Sequence, residues 1–104
     1  MEQYRVFIKS TAKADLHEIF RYITEVLYEP KTAERICDSI ETAIFSLRQF
    51  PLRHGVIEEE PFVSKEIHKM PVKNHIVFYT VDSTIKEVQV LRVMYSRRNW
   101  QNLI

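Results

Sequence analysis

Glycine is almost missing from this chain: Gly55 is the only one in 104 residues. A glycine-rich phosphate loop cannot be built from one glycine, and none of Ser39, Ser46, Ser64 or Ser96 sits in the glycine-flanked elbow of a serine hydrolase. Cysteine is equally scarce. Cys37 stands alone, so an internal disulfide is impossible and a structural metal site has no thiolate set; we expect a reducing compartment and no metal. No apolar run approaches the roughly 18 residues of a membrane span, and residues 1–20 lack the basic start and apolar core of a secretory leader, so a cytoplasmic protein with no membrane partner is expected. His17 and His54 are read as solvated, since nothing beside either one makes a metal motif.

What is present is apolar and must be ordered. With 45% hydrophobic and 28% charged residues, the chain has the composition of a folded domain, and its length fits one domain spanning residues 1–104. The net charge is only +1, but residues 61–104 carry 7 Lys/Arg against 3 Asp/Glu. That local excess of +4 is expected to serve an anionic partner or to form a plain solvated face.

Tyr4 to Lys9 reads as a short strand running into Ser10 and Thr11, either of which can cap a helix. Leu16, Ile19, Phe20, Ile23, Val26 and Leu27 then recur at spacings of three and four, which predicts a helix over Lys13–Tyr28. Pro30 suits the first turn of a second helix, whose stripe from Ala33 to Leu47 ends at Phe50–Pro51. Residues 51–64 lose periodicity and form the main loop. Three strands are expected after it, at Lys65–Met70, His75–Val81 and Val88–Tyr95, with turns around Pro71–Asn74 and Asp82–Thr84. The predicted class is α+β: an N-terminal strand, a helical hairpin and a three-stranded antiparallel meander, in the order β-α-α-β-β-β.

The last two strands are apolar on both sides instead of alternating. The hairpin can cover only one face. If Val77, Tyr79, Val81, Leu91 and Val93 face the helices, then Ile76, Phe78, Val90, Arg92 and Met94 face away, with Ile67 and Lys69 beside them. This second face is expected to be an open, partly apolar groove edged by cations, fit for a partner that carries acidic and apolar residues. A homodimer through the same face is the alternative. The third strand then stops on Tyr95, Arg97, Arg98 and Trp100, a cationic and aromatic cluster suited to phosphate or acidic partners. Tyr79 and Phe20 are expected in the core.

Ala14-Asp15-Leu16, Ile19 and Tyr22-Ile23 in the first helix, Ala33, Ser46-Leu47 and Phe50-Pro51 in the second, then HIVFY at His75–Tyr79, Leu91-Arg92-Val93 and Arg97-Arg98, together resemble the RelE/ParE superfamily of toxins from bacterial type II toxin–antitoxin pairs. The resemblance spans essentially the whole chain. It implies a toxin, without cofactor, that arrests growth until a small acidic antitoxin wraps it, as a homodimer or as a heterotetramer with that antitoxin. Ile67, Ile76, Phe78 and Met94 would meet the antitoxin, and Lys69, Arg92, Tyr95, Arg97, Arg98 and Trp100 the target.

Two activities are known in the superfamily. RelE-like members cut messenger RNA on the ribosome, which requires an acid, a base and a cation near the phosphate. Residues of suitable type are His68, Lys69, His75, Tyr95 and Arg97. However, an arginine typical of that branch falls here on Ile76, a later one falls near Ser96, and neighbours His68 and Lys69 should point to opposite faces of a strand. ParE-like members poison DNA gyrase and need no catalytic set; HIVFY, LRV and the paired arginines follow their pattern, although Tyr95 stands where a histidine is common. The resemblance therefore favours the ParE-like branch. A non-toxic nucleic-acid-binding domain, stacking bases on Tyr95 and Trp100, is a third class.

Overall fold

The chain passes from its first strand into a helix with almost no connection. In the computed structural model, which describes residues 3–104, β1 (Arg5–Ile8) is followed by α1 (Ser10–Arg21), which widens into a π-helical segment at Tyr22–Val26. Pro30 sits in the first turn of α2 (Pro30–Phe45), where its missing N–H is no loss. After two short 3-10 turns, Ser46–Arg48 and Pro51–Arg53, the chain forms β2 (His68–Val72), β3 (His75–Asp82) and β4 (Glu87–Tyr95), and a last 3-10 turn at Trp100–Asn102. The sheet order is β1-β4-β3-β2, with β1 parallel to β4 and the other pairs antiparallel. The α+β class, the helical hairpin and the meander are those expected from the sequence.

Scarcity of glycine has a visible consequence. Tyr28, Phe50, Glu66, Lys73 and Lys86 all take the left-handed backbone conformation that glycine would take without a Cβ penalty. Lys73 and Lys86 lie in the β2–β3 and β3–β4 turns, and the second turn is also held by Asp82, whose carboxylate accepts from the N–H groups of Thr84 at 3.0 Å and Ile85 at 3.3 Å. Arg53 closes the end of the helical hairpin: its guanidinium donates to the carbonyls of Gln49 at 2.8 Å and Phe50 at 3.2 Å and to the Ser46 hydroxyl at 2.6 Å.

The main core lies between the hairpin and the sheet, where Ala12, Ile40, Ile44 and Leu47 meet Met70, Val77, Tyr79, Val88, Val90 and Val93. Phe20, expected in this core, is 38% exposed. The stripe that turns inward is Ala12, Leu16, Ile19 and Ile23, and Phe20 sits one residue, about 100°, off it. Ser10 and Thr11 do not cap α1 by side chain either. Instead the Thr11 hydroxyl donates to the Leu91 carbonyl at 2.7 Å, and the Asp15 carboxylate accepts from the Val93 N–H at 2.9 Å. These bonds take over the edge of β4 just where its pairing with β1 ends, at Val90.

The expectation of an open second face is corrected. Ile67, Phe78 and Met94 are 2%, 0% and 1% exposed and form a second core with Ile57 and Phe62, onto which Ile76, Leu91, Trp100 and Ile104 pack. The loop after α2 and the C-terminal tail therefore cover that face. The assignment of Val90 and Leu91 is also reversed. A register shift opposite Phe78/Tyr79 pairs Phe78 with Arg92 and Tyr79 with Val90, so Leu91 is an extra residue; Val90 turns to the helices and Leu91 away. β2 begins three residues later than predicted and runs through Pro71, which was expected to open the following turn. It is a sheet edge, where a missing N–H is tolerated.

Candidate functional site

Of the residues proposed for the target, Tyr95, Arg97 and Arg98 lie exposed where β4 runs out. A tight turn presents them: the Ser96 N–H donates to the Asn74 carbonyl at 2.8 Å, and the Arg98 N–H to the Tyr95 carbonyl at 3.0 Å. Trp100 lies elsewhere. Its ring packs on Phe78, 5.1 Å between centroids, and on Phe62 at 6.0 Å, and the Lys69 ammonium sits 5.9 Å over it. Trp100 thus anchors the tail to the second core.

Arg92 is a structural cation. It grips Asp15 with two bonds, of 2.7 and 2.9 Å, and donates to the Leu103 carbonyl at 2.7 Å, tying α1, β4 and the tail together. Its bond to Asp15 is the main reason its pKa is raised, against the opposing effect of burial. With side chains only 22% and 12% exposed, the pair is better shielded than a surface ion pair. Replacing Asp15 by alanine strands the Arg92 guanidinium and the Val93 N–H, and a loss of about 2 kcal/mol is expected in urea unfolding, less than for a fully buried pair.

The five residues of ribonuclease type do not converge. His68 is buried on the helix side of the sheet, stacked on Tyr79 with centroids 5.0 Å apart, and its Nδ1 donates to the His54 carbonyl at 2.7 Å. Lys69 points to the opposite face, over Trp100, as the strand alternation predicts. Arg97 is on the exposed turn. Only His75 and Tyr95 meet, ring edge to face at 5.8 Å. His54, expected to be solvated, is partly buried beside His68.

His75 is 8% exposed, its Nδ1 has no hydrogen-bond partner, and burial lowers its pKa below the ordinary 6.5. The His54 pKa is lowered as well, first by burial and then by Arg53 and His68. The folded state therefore favours the neutral rings. Below pH 6.5 the unfolded chain binds more protons, so stability should fall as pH drops from 7 towards about 5. Thermal melts across that range should show a shallower decline for His75→Phe than for the wild type.

A cleft of about 630 Å³ opens beside the exposed turn, between the end of α1 and the ends of β3 and β4. Its walls include Ile19, Tyr22, Ile23 and Leu27 on one side and His75, Met94, Tyr95 and Arg98 on the other. Tyr22 and Leu27 were missed as site residues; Leu27, with Val26, was read as part of an inward helical stripe. The π-helical segment shifts them off that stripe, a change periodicity does not reveal. Among the described residues no group of three or more His, Cys, Asp or Glu could hold a metal ion, and no helix is long and apolar enough to cross a membrane.

A helical hairpin packed on one face of this β1-β4-β3-β2 sheet is the architecture of the RelE/ParE superfamily. Similar solved structures include a chromosomal ParDE toxin–antitoxin system from P. aeruginosa, with TM-score 0.72 and 21% identity over 89% of this chain and 96% of that one. The RelBE2 toxin–antitoxin complex of Mycobacterium tuberculosis matches with TM-score 0.65 and 23% identity, covering 91% and 93% of the two chains. A mutant of the E. coli toxin RelE in the free state gives 0.63 at only 10% identity, over 91% and 85%. No curated protein sequence matches significantly. The family described as the ParE toxin of the type II toxin–antitoxin system parDE matches residues 6–100, and this chain belongs to it.

Proposed function

We propose that this toxin arrests bacterial growth in the cytoplasm by ParE-like inhibition of DNA gyrase and is neutralised by a cognate acidic antitoxin. The observation that carries the gyrase reading is the dispersal of the acid–base candidates. His68 is packed in the helix-side core, Lys69 lies on the other face and Arg97 stands on a turn, so they offer no common point for a phosphate. A toxin that acts by binding needs no such point. Arg97 and Arg98, exposed and without side-chain partners among the described residues, supply its target contact. Support for an antitoxin comes from the similar folds solved as toxin–antitoxin systems from P. aeruginosa and M. tuberculosis.

Induction of this chain alone in bacteria, followed by labelled thymidine and labelled amino-acid incorporation, tests the proposal. DNA synthesis is expected to stop first. Earlier failure of protein synthesis would replace it with a ribosome-dependent ribonuclease, and His75, Tyr95 and Arg98 around the cleft would become the first residues to mutate. Salt-sensitive nucleic-acid binding without arrest would mark a plain binding domain.

A further inference from the structure

The second sheet face is covered by the chain itself, but the C-terminal end of α2 is not, and we propose that two copies of this chain pair there about a two-fold axis beside Phe45. Ile40, Ile44 and Leu47 are fully buried in the main core. Glu41, Phe45 and Arg48 each follow one of them, so they form the next ridge, about 100° round the helix, and all three are exposed. With Asp38, Thr42 and Ser46 they line an open hollow of about 610 Å³. Phe45 is 46% exposed, and Phe50 and Leu52 stand at 67% and 59% on the turn that Arg53 ties to Ser46. Large apolar groups gathered on one surface mark an interaction site.

The order of charges selects the occupant. Glu41 lies one turn before Phe45 and Arg48 one turn after it, and neither they nor Asp38 enter an ion pair among the described residues. When two such helix ends meet antiparallel, with the Phe45 rings stacked at the axis, each Glu41 comes opposite the other copy's Arg48. Two ion pairs then form, where a parallel arrangement would set Glu41 against Glu41. A nucleic acid or an anionic membrane would instead meet the carboxylates of Asp38 and Glu41.

Three large apolar side chains from each copy and two ion pairs make a contact at the small end of specific interfaces, so a dissociation constant of roughly 1–100 μM is expected. The hollow shares no residue with the cleft at the other end of the hairpin. Ile36, the nearest cleft residue on α2, lies about 14 Å along the helix from Phe45. Pairing therefore leaves Tyr95, Arg97 and Arg98 open on both copies, and a partner that reaches both sets binds with the advantage of linkage.

Sedimentation equilibrium of the purified full chain, over a concentration series that spans that range, tests the pairing. Wild-type protein should move from monomer to dimer. Phe45→Ser, Glu41→Arg and Arg48→Glu should each weaken association by about tenfold or more. Glu41→Arg combined with Arg48→Glu should return it to within about threefold of the wild type, because the exchanged charges meet again. Glu34→Arg makes the same charge change on an exposed part of α2 outside the hollow and should alter association by less than about threefold. The charge variants lie at exposed positions and keep the test open if Phe45→Ser disturbs folding, which circular dichroism will show. A chain that stays monomeric throughout the series overturns the proposal. So does a dimer indifferent to all the single substitutions in the hollow, or a double variant that associates no more tightly than its two parents.

Discussion

Tyr79→Ala should lower folding stability by about 3–5 kcal/mol, measured by urea unfolding with the slope unchanged, because the ring is fully buried and a cavity would replace it. The ring does more than fill space. It stacks on His68, and its hydroxyl donates to the Pro51 carbonyl at 2.7 Å, fixing the turn that leads the chain away from α2 towards the loop beside β2. That loop then bonds to the β2 edge, with the Lys69 N–H donating to the Gly55 carbonyl and the Ile57 N–H to the Ile67 carbonyl. Tyr79 therefore links the main core to the cover of the second one. Tyr79→Phe isolates the hydrogen bond and should cost about 1–2 kcal/mol, since the carbonyl is left unsatisfied. Burial pushes the phenol up to about 12, so it stays a neutral donor through the physiological range. A loss below 1 kcal/mol for Tyr79→Ala would mean that the core collapses around the gap.

The largest effect on activity is expected from Arg97→Ala combined with Arg98→Ala. Growth arrest on induction should disappear, while the melting temperature moves by no more than about 2 °C, because exposed charges contribute little to folding. The contrast with Arg92 makes this informative. All three are arginines at the end of one strand, but Arg92 is locked to Asp15 and the Leu103 carbonyl and its loss should register in stability. Arg97 and Arg98 have no such partners among the described residues. Persistent arrest in the double variant would move the target contact elsewhere, and a large fall in melting temperature would assign the pair a structural role.

Much of the chain was legible because its periodicities are local. The helical stripes, the proline at the start of α2 and the short polar turns between β-branched runs act over a few residues, and they yielded the β-α-α-β-β-β order. The family resemblance rested on HIVFY, LRV and the paired arginines, and the family match covers those positions. Opposite facing of His68 and Lys69 also followed from alternation alone. The errors fall where one residue changes phase. The extra Leu91 in β4 exchanged the faces of Val90 and Leu91, and the π-helical segment after Arg21 took Val26 and Leu27 off the buried stripe.

Sequence by itself determined the class of fold, the order of its elements, the family, and the cationic end of β4, all of which depend on residue type and short-range spacing. Tertiary structure alone decided which apolar face is open. The second face of the sheet looked vacant because the residues that cover it, Phe62 and Trp100, are separated from Phe78 in sequence and carry no periodic sign of where they will fold. Their burial with Ile67 and Met94 gains hydrophobic free energy that the loop and tail could not gain in solvent. It also set the cations apart, since the Arg92 guanidinium lies within reach of Asp15 while Arg98 stands at the cleft without a partner among the described residues.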